Sequence, residues 1–207
     1  APAYLINLYL ATGDDNYAKF LEDTFDTICD HFPDYGYSPF MNEKFFDDWS
    51  HDLKWGIHQA RCVVGHNLKV AWNLTRMHSL MPKESYKTFA HQIADAIPGA
   101  GCDNQRGGWY DMMERTLKEG EENYRRVWHD RKAWWQQEQG ILAYYIMAGV
   151  YDDKPEYLNY AREGSAFYNG WFLDYEEGGI YFNVLANGQP YSLGSERGKG
   201  SHSMAGY

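Results

Sequence analysis

Apolar residues recur at helical spacing in paired segments along the chain. Between positions 65 and 80 they stand mostly three or four residues apart, at Leu68, Ala71, Trp72, Leu74 and Met77. This spacing places side chains on one face of a helix. Pro82 then predicts the end of that helix, because proline lacks the amide hydrogen that a helix interior needs. A second helix is predicted over 83–97, ended by Pro98 and Gly99.

The same pair of helices is predicted three times. The other pairs cover 3–10 with 17–32, and 131–150 with 155–172. A glycine turn follows each pair. The motif D-x-x-x-G-G-x-Y starts at Asp103 and at Asp174, and a weaker copy starts at Asp34. Gly36, Gly107 and Gly178 follow one another at intervals of 71 residues, so the chain has an internal repeat of about that length.

Helix hairpins repeated at this length pack as α/α toroids or solenoids, in which neighbouring repeats share a core. We therefore expect an all-α fold of the (α/α)6 toroid type, forming one domain over 1–207. Three hairpins are half of a closed ring of six, so we expect a partial barrel. On that interpretation the chain is a fragment of a longer toroid and its true N-terminus is missing. A short open solenoid is the alternative.

Composition limits the function classes. Of the 207 residues, 44% are hydrophobic and the net charge is −10. An acidic chain does not offer the basic patch that nucleic-acid binding needs. The sequence has no run of 18 apolar residues, so we expect no membrane span. The 3 cysteines are widely spaced, which is typical of reduced thiols in a cytoplasmic protein. No histidine pair has the spacing of a metal site, so we expect no metal.

Three motifs resemble the N-acylglucosamine 2-epimerase and cellobiose 2-epimerase family. Positions 65–72 resemble its G-H-x-x-E-x-x-W motif, and 132–137 resemble its K-x-W-W-x-Q helix. Positions 198–202 lie where the family has a K-G run followed by a catalytic histidine. A stretch at 46–49 is similar to its F-x-x-D-W segment. The order and separation of the motifs also fit the family's C-terminal half to two-thirds, which identifies the chain as a divergent member.

The resemblance implies epimerisation of a sugar at C2 without a cofactor. That reaction removes a proton next to a carbonyl and returns a proton to the other face, so it needs two acid/base groups. Histidine suits both steps, because its ordinary pKa lies near neutrality. His66 matches one catalytic histidine, and His202 is the candidate for the second, unless a register shift places the partner further along. The expected ligand is a small carbohydrate, and a homodimer stays open.

Four further residues are implied to bind substrate, and two of them depart from the family pattern. Trp72 and Trp135 match its tryptophans, and Trp135 is the expected platform for a sugar ring. Lys69 and Gln139 stand where the family has glutamates. These changes make the cleft less negative, so the sequence predicts a preference for an acidic sugar. The alternative interpretation of Lys69 is a solvated or ion-paired residue in a member that has lost standard activity.

Two other function classes stay open. Six-hairpin toroids also include inverting glycoside hydrolases, which use two carboxylates. The candidates are Asp48, Asp103, Asp174 and Glu138. Asp103 and Asp174 begin the glycine motifs, where an aspartate stabilises a turn, so we favour a structural role for these two. A toroid without catalytic activity that binds sugar or protein is the third interpretation.

Overall fold

The computed structural model describes residues 2–52, 60–127, 129–191 and 199. Helices dominate these ranges, and the few strands are two or three residues long. In chain order the elements are α1 (Pro2–Thr12), α2 (Asp15–His31), β1 (Arg61–Val63), α3 (Val64–Leu80), α4 (Glu84–Ala100), β2 (Met112–Glu114), β3 (Lys132–Ala133), α5 (Trp134–Val150), α6 (Glu156–Trp171) and β4 (Asn183–Val184).

The six helices form three hairpins arranged in two rows. Helices α1 and α2, α3 and α4, and α5 and α6 pack in pairs. Helix α3 also packs against α1 and α5, whereas α2 packs against α4. The odd-numbered helices therefore make one row, and the even-numbered helices make a second row behind it. This is the layered arrangement expected of α/α toroid repeats.

The core lies between the two rows. On α4 the side chains of Tyr86, Phe89, Ile93 and Ile97 are at most 2% exposed and share one face at helical spacing. Burying one such side chain contributes about 1.5–3 kcal/mol. The predicted end of this helix was wrong by a few residues, because α4 continues through Pro98 and ends at Ala100. A proline in the last turn removes one helical hydrogen bond, which the core packing offsets.

Each predicted glycine turn has its glycine in the left-handed region, with φ of 99° at Gly36, 86° at Gly107 and 76° at Gly178. A basic side chain also binds the aspartate that begins each motif. The ion pairs are Arg115 with Asp34, Lys132 with Asp103, and Lys199 with Asp174. Each of the two lysines additionally donates to the carbonyl of the glycine that ends its turn. These aspartates therefore stabilise the turns between repeats.

Two short antiparallel strand pairs lie where α3 and α5 begin. β1 pairs with β2, with Cys62 opposite Met113, and β3 pairs with β4, with Lys132 opposite Val184. β1 runs directly into α3, and β3 runs directly into α5. The pairs thus fix the first turns of these two helices. The predicted all-α class is confirmed, and none of the described helices has the length and apolarity to cross a membrane.

Candidate functional site

An open cavity of about 410 Å³ lies between α1, α2 and α3. Apolar side chains from α2 and the loop after it form part of its lining: Phe25, Ile28, Phe32 and Met41. Its polar lining comes mainly from one face of α3: His66, Lys69, Asn73 and Arg76, joined by Glu43 and Asn7. Apolar surface with a few convergent polar groups is typical of small-molecule sites.

His66 lies in the first turn of α3 and is held by a carboxylate. Its ring nitrogen Nδ1 is 2.7 Å from Oε2 of Glu43. A carboxylate only accepts hydrogen bonds, so Nδ1 carries the proton and Nε2 is the nitrogen that can exchange one. The two side chains are 45% and 25% exposed, so the imidazole is open to a ligand while Glu43 is more enclosed. This is the geometry of an oriented acid/base histidine.

Trp135 stands beside that histidine. The centroids of the two rings are 5.5 Å apart and the rings are tilted by 43°. The neighbouring Trp134 is 1% exposed and packs in a separate small core with Phe167 and Phe172. The two adjacent tryptophans therefore differ in position: Trp134 fills the core, whereas Trp135 borders the histidine.

Gly65 allows this closeness. A Cβ built on Gly65 would lie 2.6 Å from Cγ of Gln136 and 2.8 Å from the indole of Trp135. Both distances are shorter than carbon atoms tolerate, so only glycine lets the start of α3 approach the start of α5 this closely. The glycine of the G-H motif is thus required by packing between helices.

Two basic side chains follow His66 along α3. Lys69 is three residues further and Arg76 ten, so the three share a helical face. Burial lowers the pKa of Lys69. Arg76 donates to the side chain of Asn7 at 3.1 Å and lies over the Trp72 ring, 5.9 Å from its centroid. The cavity lining contains these two cations and one carboxylate, which is bonded to His66.

Trp72 and Gln139 form a wall behind this face. The indole nitrogen of Trp72 donates to the amide oxygen of Gln139 at 2.9 Å. The two residues are 4% and 1% exposed. Trp72 contributes an edge to the cavity lining, whereas Gln139 does not line it. The structure therefore places Gln139 in contact with a cavity residue, one layer further from the open space.

The remaining candidate lies outside the described residues. His202 follows Lys199, which is described and binds Asp174 with 2.5 Å between the ion-pair atoms. Two charged residues of the cavity lining were not predicted from the sequence. Arg76 could have been found by extending the face that begins at His66 for almost three helical turns. Glu43 could not, because it reaches His66 from a loop 23 residues upstream.

The carboxylates considered for glycoside hydrolysis have other partners. Asp103 and Asp174 pair with lysines in the glycine turns. Asp48 is exposed and accepts from the backbone and hydroxyl of Ser50. Glu138 accepts from the hydroxyl of Tyr168 at 2.7 Å, and burial raises its pKa. Among the residues that the structure describes, no group of three His, Cys, Asp or Glu side chains could hold a metal ion.

Comparison with known families gives the relationship. The sequence profile of the N-acylglucosamine 2-epimerase family matches residues 3–205, nearly the whole chain. The chain belongs to this family. No protein with a curated function matches the sequence.

Solved structures of the same fold include a sugar epimerase and a sugar isomerase. A cellobiose 2-epimerase from Bacillus thermoamylovorans is 20% identical, with a TM-score of 0.73 over 92% of the chain and 45% of the enzyme. A D-mannose isomerase is also 20% identical, with a TM-score of 0.72 over 92% of the chain and 46% of that protein.

The fold also extends to hydrolases. A family 105 glycoside hydrolase from C. acetobutylicum is 15% identical, with a TM-score of 0.67 over 90% of the chain and 49% of that enzyme. At these identities the likeness shows the fold, an α/α toroid. The chain spans about half the length of these proteins.

Proposed function

We propose that this protein is a sugar epimerase or isomerase in which His66 is one of two acid/base groups. The carrying observation is the Glu43–His66 pair, with 2.7 Å between carboxylate and ring nitrogen, beside Trp135 and at the rim of an open cavity. Family membership supports the reaction class. Two enzymes of the same fold are a cellobiose 2-epimerase and a D-mannose isomerase, which supports a carbohydrate substrate.

The chemistry follows from the tautomer of His66. In the open-chain sugar, Nε2 accepts the C2 proton, and the C2–H electron pair moves to the carbonyl as an enediolate forms. A second acid returns a proton to the opposite face of C2 and so inverts that centre. Glu43 stabilises the imidazolium formed in the first step, because its negative charge lies next to Nδ1. His202 is our candidate for the second acid.

The proposed substrate-binding residues lie around the same histidine. Trp135 borders His66 without lining the cavity, and we place the sugar ring against its indole, next to the reacting carbon. Trp72 is the proposed edge contact, and Gln139 fixes its indole by the 2.9 Å hydrogen bond. Lys69 and Arg76 bring two positive charges to the lining, which supports an acidic sugar as the substrate.

The hydrolase alternative is less well supported. A glycosidase needs two carboxylates facing each other across the glycosidic bond. In the described part of the chain, the four candidate carboxylates accept from lysine, serine or tyrosine partners, and none of them lines the His66 cavity. A purely binding role, a homodimer and the cytoplasmic location stay predictions of the sequence.

Product analysis in heavy water separates these classes. The protein is incubated with neutral and acidic aldoses in D₂O and the sugars are followed by NMR. Deuterium at C2 supports proton abstraction, whereas release of a shorter sugar with inversion supports a hydrolase. Protection against thermal unfolding by a sugar, without either reaction, would support a binding protein.

A further inference from the structure

Helix α3, which bears His66, begins without a cap of its own. Its N-cap residue is Val63, and no side chain at that position accepts a hydrogen bond from the first turn. The first four amide N–H groups of a helix have no partner within it. In α3 these groups are largely buried, since Val64 and Gly65 are both buried. Partners from outside the helix are therefore needed.

Gln136 of α5 supplies one of them. Its amide oxygen accepts from the backbone N–H of Gly65 at 2.6 Å, across 71 residues of sequence. The Gln136 side chain is itself fully buried. The N–H of Val64 points to the backbone carbonyl of Asp111 at 3.4 Å. A residue of α5 thus caps the start of the neighbouring helix α3, immediately before His66.

The capping amide is in turn held in place. Its Nε2 donates to the backbone carbonyl of Asp111 at 3.0 Å and also to the Asp111 carboxylate. The other carboxylate oxygen accepts from Nε of Arg131 at 2.5 Å. The Arg131 and Asp111 side chains are only 16% and 14% exposed. Gln136 therefore cannot rotate without breaking this chain of hydrogen bonds.

Comparison of the repeats shows that the Gln136–Gly65 contact is distinct from the amide contacts that recur in the α3 and α5 repeats. Asn67 of α3 accepts from the backbone of Met41, and Gln137 of α5 accepts from the backbone of Trp109. These two amides bind the loop that precedes their own helix in the same way. Gln136 lies one position before Gln137, as His66 lies one position before Asn67. Its contact with α3 is therefore additional to the repeated amide contact.

We propose that Gln136 is a positioning residue that sets the His66 ring against Trp135 by capping α3 from the neighbouring helix. The catalytic role of this ring placement rests on the proposed function. The geometry itself is measurable without a substrate. Gln136 adjoins Trp135 in sequence and binds the residue adjoining His66, so one side chain couples the positions of both rings.

The test compares two glutamines of the same helix. In Gln136→Met the cap is lost, whereas in Gln137→Met a buried amide of equal size is lost that binds Trp109 instead. The signal is the ring-current displacement of the His66 Hε1 proton by Trp135, assigned with His66→Gln. We expect it to be lost in Gln136→Met and kept in Gln137→Met. Equal signals in the two variants would overturn the proposal.

A second pair of variants, in which the donor and acceptor roles of residues 136 and 111 are swapped, keeps the test decisive if Gln136→Met does not fold. Gln136→Glu retains an acceptor for Gly65, but it places a second carboxylate against Asp111. Adding Asp111→Asn restores a side-chain donor to that carboxylate, and a negative charge suits a helix N-terminus. The Asp111 backbone carbonyl, which accepts from Gln136 in the native protein, still faces the carboxylate, so we expect the double variant to recover part of the His66 signal that the single variant loses. A double variant no better than the single one would contradict the capping role.

Kinetics then separate this proposal from the proposed function. If both hold, Gln136→Met lowers kcat for C2 exchange by roughly 10–100-fold with little change in KM, because misplacing a catalytic group raises the barrier. If the ring-current result holds but no C2 exchange occurs in the native protein, the positioning role stands and the reaction class fails. A Gln137→Met kcat equal to that of Gln136→Met would count against positioning.

Discussion

The carboxylate of Glu43 holds Nδ1 of His66 at 2.7 Å from a loop 23 residues upstream. The histidine thus receives its orienting partner from outside its own helix. The family motif has a glutamate three residues after the histidine, where this chain has Lys69. Glu43 therefore supplies a carboxylate to a histidine whose own helix lacks the glutamate of the family motif.

We predict that Glu43 determines which nitrogen of neutral His66 is protonated. ¹⁵N NMR of the imidazole should show protonated Nδ1 in the native protein and a shift towards protonated Nε2 in Glu43→Ala, since the hydrogen bond sets the tautomer. His78 is an internal control, because its Nδ1 faces the carbonyl of Lys83 at 2.9 Å. An unchanged His66 tautomer in Glu43→Ala would show that the contact does not orient the ring.

A second prediction concerns the close approach at Gly65. Gly65→Ala should destabilise the protein by about 1–3 kcal/mol, because the new methyl group overlaps Gln136 and Trp135. The matched control is Gly149→Ala on α5, where a Cβ meets nothing within 4 Å. That change should stabilise by up to about 1 kcal/mol through helix propensity. Urea unfolding measures both, and equal effects would mean that α3 and α5 are not tightly packed there.

The sequence predicted the hairpins, the glycine turns and the all-α class, because apolar periodicity and proline positions are local signals. It also placed His66 and Trp135 together through the family motifs. The contacts of Glu43 and Gln136 were not predictable, because they join residues from different repeats through loops and first turns. The end of α4 was missed because core packing at Ile97 and Ala100 outweighs the local effect of Pro98.

The cations of the cavity predict ligand preference. Calorimetry with paired neutral and acidic sugars should favour the acidic member by about 1 kcal/mol, because an ion pair is less screened in a partly dry site. Lys69→Glu should reverse the preference. Lys118→Glu makes the same charge change at a residue that does not line the cavity, so it should leave the preference unaltered. Tighter binding of the neutral sugar by the native protein would refute the prediction.

Glu138 should give a distinctive pH dependence. Burial raises the pKa of this carboxyl above its ordinary value, although the hydrogen bond from Tyr168 acts in the opposite direction. A raised pKa means stability that is fully present below the unfolded-state pKa and is lost as pH rises through the folded-state pKa. Glu138→Gln keeps an acceptor for Tyr168 and removes the charge. Its unfolding free energy relative to the native protein should therefore increase as the pH rises from 4 to 7.

The control for this experiment has the opposite sign. The hydrogen bond from Arg125 lowers the pKa of Glu121, whose side chain is partly exposed. Its contribution to stability is present above the unfolded-state pKa and is lost as pH falls through the folded-state pKa. Glu121→Gln should therefore become relatively less stable as pH rises. If both variants respond to pH with the same sign, the burial of Glu138 is not what controls its titration.

The most direct test of the central claim is the rate at which deuterium enters C2 of an acidic aldose in D₂O, measured by NMR for the native protein and for His66→Gln. We predict exchange in the native protein and a loss of at least about 10²-fold in the variant, as expected when a general acid/base group is removed. Undiminished C2 exchange in His66→Gln, or glycosidic cleavage without C2 exchange in the native protein, would contradict the assignment of His66.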